Sequence, residues 1–597
     1  MRISTLPLPA AIAAALLLAG CNSDSRPGMK AADANLLFSS NRLASLNLDQ
    51  PGRMGAPAAV TGLNAGDTLV SIDRRPQNGF LYALGYNAAA GSLQLYTLHP
   101  ETLVATAVGS TGSFVEADGS TVVMIGNGDA ATRFEMDFNP AVDRLRVVSS
   151  IGENIRINPN TGAFVDGDLG GAAGSVAGLN MDGALNVASM TTGVQGTAYT
   201  NSRSNTATTT QYTLDGANST LYLQNPPNAG TLASPTSVQP ATGTVLGFDI
   251  APEVSSGAAN TAVTTGSATV AYLPSGSTME YIARLDLVTG QLRERRSVPS
   301  SGITGLALQQ PAAIPVAALG SDGNLLRFTS AAPGTVTSVA VSGLNAGETL
   351  VGIDYRPATG QLFGLGIDAG ADTGTLYRID PQLGSATAIG SAGGIAFVDA
   401  AGDPVDLPAA TTGYGFNFNP AVDRIRVTTG SGLNLRLNPN DGSAVDGNLG
   451  GAAGSVSGVN PDGAISGATS AAHGAAYTNS VAGTAATTLY ILDAGTRSLY
   501  IQNPPNAGTQ ALATAITLNG AALMFEARNG FDIRADVRTA ANNDAVTRGK
   551  AHAALTVAGS TALYEIDLVS GKAVNLGTIG DGSAVITGLA LGMVHAE

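Results

Sequence analysis

The residues best suited to chemistry are arginines and carboxylates that occur twice. Phe-Asn-Pro-Ala-Val-Asp-Arg occupies residues 138–144 and returns letter for letter at 418–424. In the first copy Asn139, Asp143, Arg144 and Arg146 are followed by Arg156, Asp166 and Asp168. In the second, Asn419, Asp423, Arg424 and Arg426 are followed by Arg436, Asp446 and Asn448. Strand alternation puts Arg144 and Arg146 on one face, with Leu145 and Val147 on the other. Residues 149–153 read as a turn and 154–158 as the returning strand, which brings Arg156 beside Arg146. Asp143, Asp166 and Asp168 are near enough in sequence to pair with these arginines. Guanidinium forks bind carboxylate or phosphate bidentately, so one reading is an anion- or sugar-binding face. The other is an internal Asp–Arg network that locks parts of the fold together. The second reading is favoured, because satisfied internal pairs are the commoner fate of such groups. Presence in both copies does not separate the two, since a duplication retains structural and functional residues alike.

Other chemistry is sparse. The turn at 158–162 and the Asp-Gly-Asp at 166–168 offer oxygens of the kind calcium takes, but their order is not an EF-hand loop and no bidentate Glu follows. Turn capping is the better reading. No cofactor is expected, and calcium is the one ion these oxygens would suit. The four histidines, His99, His473, His552 and His595, have no histidine at their counterpart positions. A histidine mechanism repeated in both copies is therefore excluded. No Gly-x-Ser-x-Gly elbow with a plausible triad and no Walker or dinucleotide loop in a strand-to-helix context occurs. Trp is absent, which removes the strongest stacking platform for sugars or bases. Tyr199, Tyr222, Tyr477 and Tyr500 recur between the copies and read as strand core or channel lining.

The chain has an address. Arg2, an apolar stretch at 10–19 and then Leu18-Ala19-Gly20-Cys21 read as a bacterial lipoprotein signal. The expected signal segment is 1–20, with lipid on the thiol of Cys21 and a polar tether at 21–34. The apolar stretch is too short to span a membrane as a helix. Asn22 follows the Cys where an acidic residue would favour inner-membrane retention, so the outer membrane is expected. Cys21 is the only Cys, so the lipidated chain would hold no disulfide, Cys metal site or Cys nucleophile. The net charge of −15 is scattered and argues against nucleic acid as a partner.

These residues must be positioned by strands. The 597-residue chain is too long for one ordinary core. Short segments of alternating character, such as Leu-Gln-Leu-Tyr-Thr-Leu at 93–98, run into turns of the form Asp-x-x-x-Gly, such as Asp286 to Gly290. Register between the halves holds to the end: Ile-Thr-Gly-Leu-Ala-Leu at 303–308 recurs at 586–591. About five hairpin-plus-strand units fit each half, near the 40 to 50 residues or so of a propeller blade. The reading is all-β: two tandem β-propellers of about five blades, at 35–309 and 316–597, joined by a connector at 310–315. Each half closes by pairing its own first and last strands. One larger continuous propeller is the alternative.

The Phe-Asn-Pro-x-Val-Asp-Arg-x-Arg-Val motif with the following Asp-Gly-x-Leu-Gly-Gly resembles an uncharacterised bacterial family known only as a domain of unknown function. Its members look propeller-like and carry export signals. The resemblance implies fold and export for nearly the whole mature chain, in two copies, and brings no activity or catalytic residue. The expected function is a lipid-anchored envelope protein that binds a protein, glycan or small anionic ligand. A metal-dependent propeller hydrolase or lactonase, and a purely structural envelope protein, are the alternatives.

Overall fold

A computed structural model describes residues 31–188, 190–309 and 313–593. The signal segment, Cys21 and part of the connector lie outside them. Among the described residues the regular structure is β-strand, interrupted by short 3-10 turns.

Each half forms a closed ring of five small sheets, antiparallel within the blades, with short parallel additions at the outer edge of two blades in ring two. In ring one, blade 1 is closed by the end of the half: Ile303–Leu308 pairs with Ala34–Phe38, which pairs with Arg42–Leu46. Blade 2 begins at Thr68–Arg74, blade 3 at Phe134–Asn139, blade 4 at Gly196–Tyr199 and blade 5 at Thr244–Ile250. These innermost strands pack in succession, and the fifth returns to Ile303–Leu308. Ring two repeats the plan with Ile586–Leu591 paired to Pro315–Gly320. Its other inner strands are Thr349–Tyr355, Tyr414–Asn419, Gly474–Tyr477 and Asn529–Ile533. Two five-bladed rings therefore replace the single larger propeller considered as an alternative.

Composition follows position in the blade. A second strand such as Leu81–Asn87 (LYALGYN) lies between neighbouring blades and is buried along nearly its whole length, whereas an outermost strand such as Leu292–Ser297 (LRERRS) faces water. Near the axis the inner strands touch backbone to backbone. A Cβ on Gly247 would lie 2.8 Å from the Leu306 nitrogen, and one on Gly530 would lie 2.9 Å from the Leu589 nitrogen. Only glycine fits there.

The rings share a core. Phe80, Tyr82 and Phe138 of ring one pack into one cluster with Leu325, Leu350 and Tyr355 of ring two. Asn78 donates through Nδ2 to the Gly360 carbonyl (2.8 Å), Thr102 through Oγ1 to the Ala482 carbonyl (2.9 Å), and Arg538 pairs with Glu101 (2.8 Å).

Candidate functional site

The duplicated motif sits at the junction of blades 2 and 3. Asn139 Oδ1 accepts from the Ala141 N–H, which starts the turn, and Asp143 takes a left-handed conformation (φ 51°) at its end. That turn aims the Asp143 carboxylate at Arg75 of blade 2, whose Nε donates to it at 2.8 Å. Arg75 also donates to Asn160 Oδ1 (2.5 Å). In ring two Arg356, Asp423 and Asn440 make the same contacts, with Arg356 Nε 2.9 Å from Asp423.

Arg156 stands directly opposite Arg146 in the hairpin. The acid between them is Asp182, which receives a bidentate fork from Arg156 (2.6 and 2.7 Å) and an ion pair from Arg146. Asp462 serves Arg426 and Arg436 in the same way. This corrects the expected pairing. Asp143 belongs to Arg75. Asp166 accepts the Asn180 N–H at 2.9 Å, and Asp168 accepts the Gly174 and Val176 N–H groups. Their carboxylates organise a loop, and Asp446 does likewise for Asn448 and Asn460. Of the oxygens considered for calcium, Asn158 Oδ1 caps its own turn (Asn160 N–H, 2.9 Å), those of Asp166 and Asp168 hold the following loop, and Asn160 Oδ1 is taken by Arg75.

The two copies differ in what covers them. Arg144 lies 3.5 Å from Asp380 of ring two, and Gln382 donates to the Ala141 carbonyl (3.0 Å). In ring two the equivalent surface opens into a cavity of about 540 Å³. Arg424, Arg426, Arg436, Tyr477, Asn506 and Asn542 are among its lining residues. Arg426 is fixed by Asn434 Oδ1 (2.8 Å) and Asn506 Oδ1 (2.7 Å), while Arg424 makes no ion pair among the described residues.

A second constellation lies on the axis of ring one. Asp73, Asp137 and Asp249 bring one carboxylate oxygen each within 4.8 Å of one another, and could hold a metal ion. Glu135, also buried, lines a cavity of about 370 Å³ together with Arg133, Gln195 and Thr304. Burial pushes Asp73, Glu135 and Asp137 well above the usual carboxylate range, helped by the neighbouring acids, and pushes Asp249 up to about 6. Each Asp also has a structural duty, taking a backbone N–H from the next inner strand: Phe138 to Asp73 (2.8 Å), Tyr199 to Asp137 (3.3 Å), Leu308 to Asp249 (2.7 Å). Ring two performs this duty with Asp354, Asn417 and Asp532, at 2.8, 2.9 and 2.8 Å. There Gly415 replaces Glu135, and a space of about 10 Å³ is lined by Gly415, Asn529 and Thr587.

The model of a family described only as a domain of unknown function, DUF4394, matches residues 42–307 and again 324–590. The chain belongs to the DUF4394 family. No curated protein matches this DUF4394 chain. Similar solved structures include hydrazine synthase of Kuenenia stuttgartiensis, at 10% identity over 53% of this chain and 78% of that one, with a TM-score of 0.22. A mitotic checkpoint complex chain matches at 8% identity over 65% and 87%, with a TM-score of 0.21. The Dos1 propeller matches at 12% over 67% and 90%, with a TM-score of 0.22. At such scores these likenesses carry no argument. For DUF4394 the residues that the motif alone does not point to are Arg75, Asp182 and the axial acids. The Ile-Asp-x-Arg-Pro shared by 72–76 and 353–357, and the Asp-Gly shared by 182–183 and 462–463, are the signals that mark two of them.

Proposed function

We propose that this DUF4394 chain is a lipid-anchored binding protein of the bacterial envelope, and that its ligand is a small organic anion such as an acidic sugar. The observation that carries the reading is the lining of the ring-two cavity. Arg424, Arg426 and Arg436 face it and no carboxylate does, in a chain of net charge −15. Asp462 balances only part of the Arg426–Arg436 charge. Arg424 spends one Nη on the Asp423 carbonyl (2.9 Å) and has no carboxylate in an ion pair among the described residues, which leaves donors for a ligand carboxylate, with amides of Asn542 and Asn543 at hand for hydroxyls. About 540 Å³ suits a monosaccharide to disaccharide ligand. The anchor rests on the Leu-Ala-Gly-Cys at 18–21, and membrane association after Cys21→Ser would defeat it. For the cavity, the test is calorimetric titration with galacturonate, with galactose as the neutral control. Galacturonate should bind, at least ten-fold more weakly to Arg424→Ala and undiminished to Arg144→Ala. Binding unchanged in Arg424→Ala, or equal for the neutral sugar, would defeat the reading.

A metal-dependent hydrolase or lactonase has one observation in its favour, the Asp73–Asp137–Asp249 group near Glu135. Against it, Arg74 is buried beside these acids, with burial lowering its own pKa to about 10 and Asp73 and Asp249 opposing that fall. A calcium or zinc titration lost in Asp137→Asn would move the balance to this reading.

A further inference from the structure

We infer that the end of ring one's axis where the inner strands begin is a second ligand site, for a small carboxylate with an apolar body. All five blades meet there. Thr68, Phe134, Gln195, Val245 and Thr304 each stand within one residue of the start of an inner strand, and all line the cavity of about 370 Å³. Leu69, Val70, Phe134 and Leu246 give it apolar walls. Two charged residues line it, Arg133 and Glu135. Glu135 is spent: Oε1 accepts the Phe248 N–H (3.0 Å) and Oε2 the Ser71 hydroxyl (3.3 Å). Arg133 is not. Its guanidinium is partly buried, yet it makes no ion pair and donates no hydrogen bond among the described residues. Glu280, the other acid that acts on it, gives its oxygens to the Gly302 and Ile303 N–H groups (2.8 and 3.0 Å). Burial holds Arg133 below the ordinary arginine value, and the two glutamates offset this only in part. The cation that Asp73 and Asp249 act on is Arg74. A guanidinium drawn out of water with its donors unpaired is costly, and a carboxylate in the cavity would take them.

Ring two shows that the scaffold does not call for this arginine. Gly413 and Gly415 stand where ring one has Arg133 and Glu135, and His473 stands where it has Gln195. A Cβ on Gly413 would lie 2.5 Å from the Ala527 carbonyl oxygen, so the entries to blades 3 and 5 close on one another there. Asn529 Nδ2 ties that closure by donating to the Ala527 and His473 carbonyls (2.8 and 3.3 Å). Ring one has Leu246 in place of Asn529 and cannot make the tie. Its Gln195 turns Oε1 to the Val245 N–H (3.0 Å), while Nε2 donates to nothing among the described residues and remains for a second ligand oxygen. One unpaired guanidinium, one amide and apolar walls fit a carboxylate on a hydrocarbon body, whereas the amide-rich cavity of ring two fits a hydroxylated anion. This site goes beyond the ring-two reading and does not depend on it.

The test is calorimetric titration of the full chain with phenylacetate and hexanoate, with phenylacetamide as the neutral control and phenethylamine as the cationic one. At least one acid should bind, and both controls should bind about ten-fold more weakly or worse. Arg133→Gln should weaken the acid by about ten-fold or more, and Arg424→Ala should leave it unchanged. Without ligand, Arg133→Gln should melt no lower than the parent, because the guanidinium it removes is unpaired. Binding of neither acid, binding of the amide or the amine as tight as that of the acid, or an Arg133→Gln variant that binds like the parent would overturn the inference. A lower melting midpoint for unliganded Arg133→Gln would make Arg133 a structural residue and overturn it too. Failure here leaves the galacturonate titration of Arg424→Ala untouched, so the two readings fall separately.

Discussion

Ring one and ring two carry the same arginine–carboxylate lock in opposite surroundings. The Arg75 and Asp143 side chains are 0% and 1% exposed, because Tyr355 and Arg327 of ring two lie over them. Arg356 and Asp423 are 12% and 33% exposed. The axes differ in the other direction: ring one keeps Glu135 and Asp137 where ring two has Gly415 and Asn417. Ring two shows that neither acid is needed to close a ring, since Asn417 takes the same backbone N–H at a shorter distance than Asp137 does. The comparison separates what the scaffold requires from what each ring has added. Ring one has given its motif surface to ring contact and kept an acidic axis, while ring two has kept its motif surface open.

The largest effects should be those the rings share. Asp182→Ala and Asp462→Ala each strand two arginines, one of them almost fully buried. Each should cost on the order of 3–5 kcal/mol in urea unfolding. Unequal losses would break the claim of a common lock. Next come the exposed and buried copies of one pair. Asp143→Ala leaves Arg75 buried and unpaired, at a cost of about 3 kcal/mol or more. Asp423→Ala, where water reaches the pair, should cost about 1 kcal/mol or less. Equal costs would mean that ring contact does not set the difference.

The axial acids sharpen the contrast through pH. Their folded pKa values are raised, so the stability they contribute is fully present below the unfolded carboxylate value near 4. It is lost as pH rises through the folded values, about 6 for Asp249 and higher than usual for Asp73, Glu135 and Asp137. Asp137→Asn, the ring-two residue, should therefore raise the thermal midpoint at pH 8 by more than at pH 5. The reverse exchange, Asn417→Asp, should lower it at pH 8, each shift corresponding to a change in unfolding free energy on the order of 1 kcal/mol. A pH-independent effect would count against charge as the cause. The smallest difference concerns stability at the motif arginines. Arg144→Ala loses its pair with Asp380, worth roughly 0.2–1 kcal/mol, while Arg424→Ala should leave unfolding unchanged.

Much of this molecule was legible in its letters. Strand alternation, Asp-x-x-x-Gly turns and a repeat held in register determined an all-β chain of two like halves with about five units each. These features are local or periodic, so composition and spacing carry them. The face on which Arg146 meets Arg156 was legible for the same reason. What the letters did not reveal is which carboxylate those arginines meet. Alternation tells which side of a strand a residue occupies but not what the fold brings opposite. Asp182 arrives from a loop 36 residues past Arg146, and Arg75 from the preceding blade, 68 residues before Asp143. The unlike fates of two identical heptapeptides were beyond the sequence for a stronger reason. Identical letters fold to identical turns, and only the docking of one ring on the other decides which copy is sealed and which is left open.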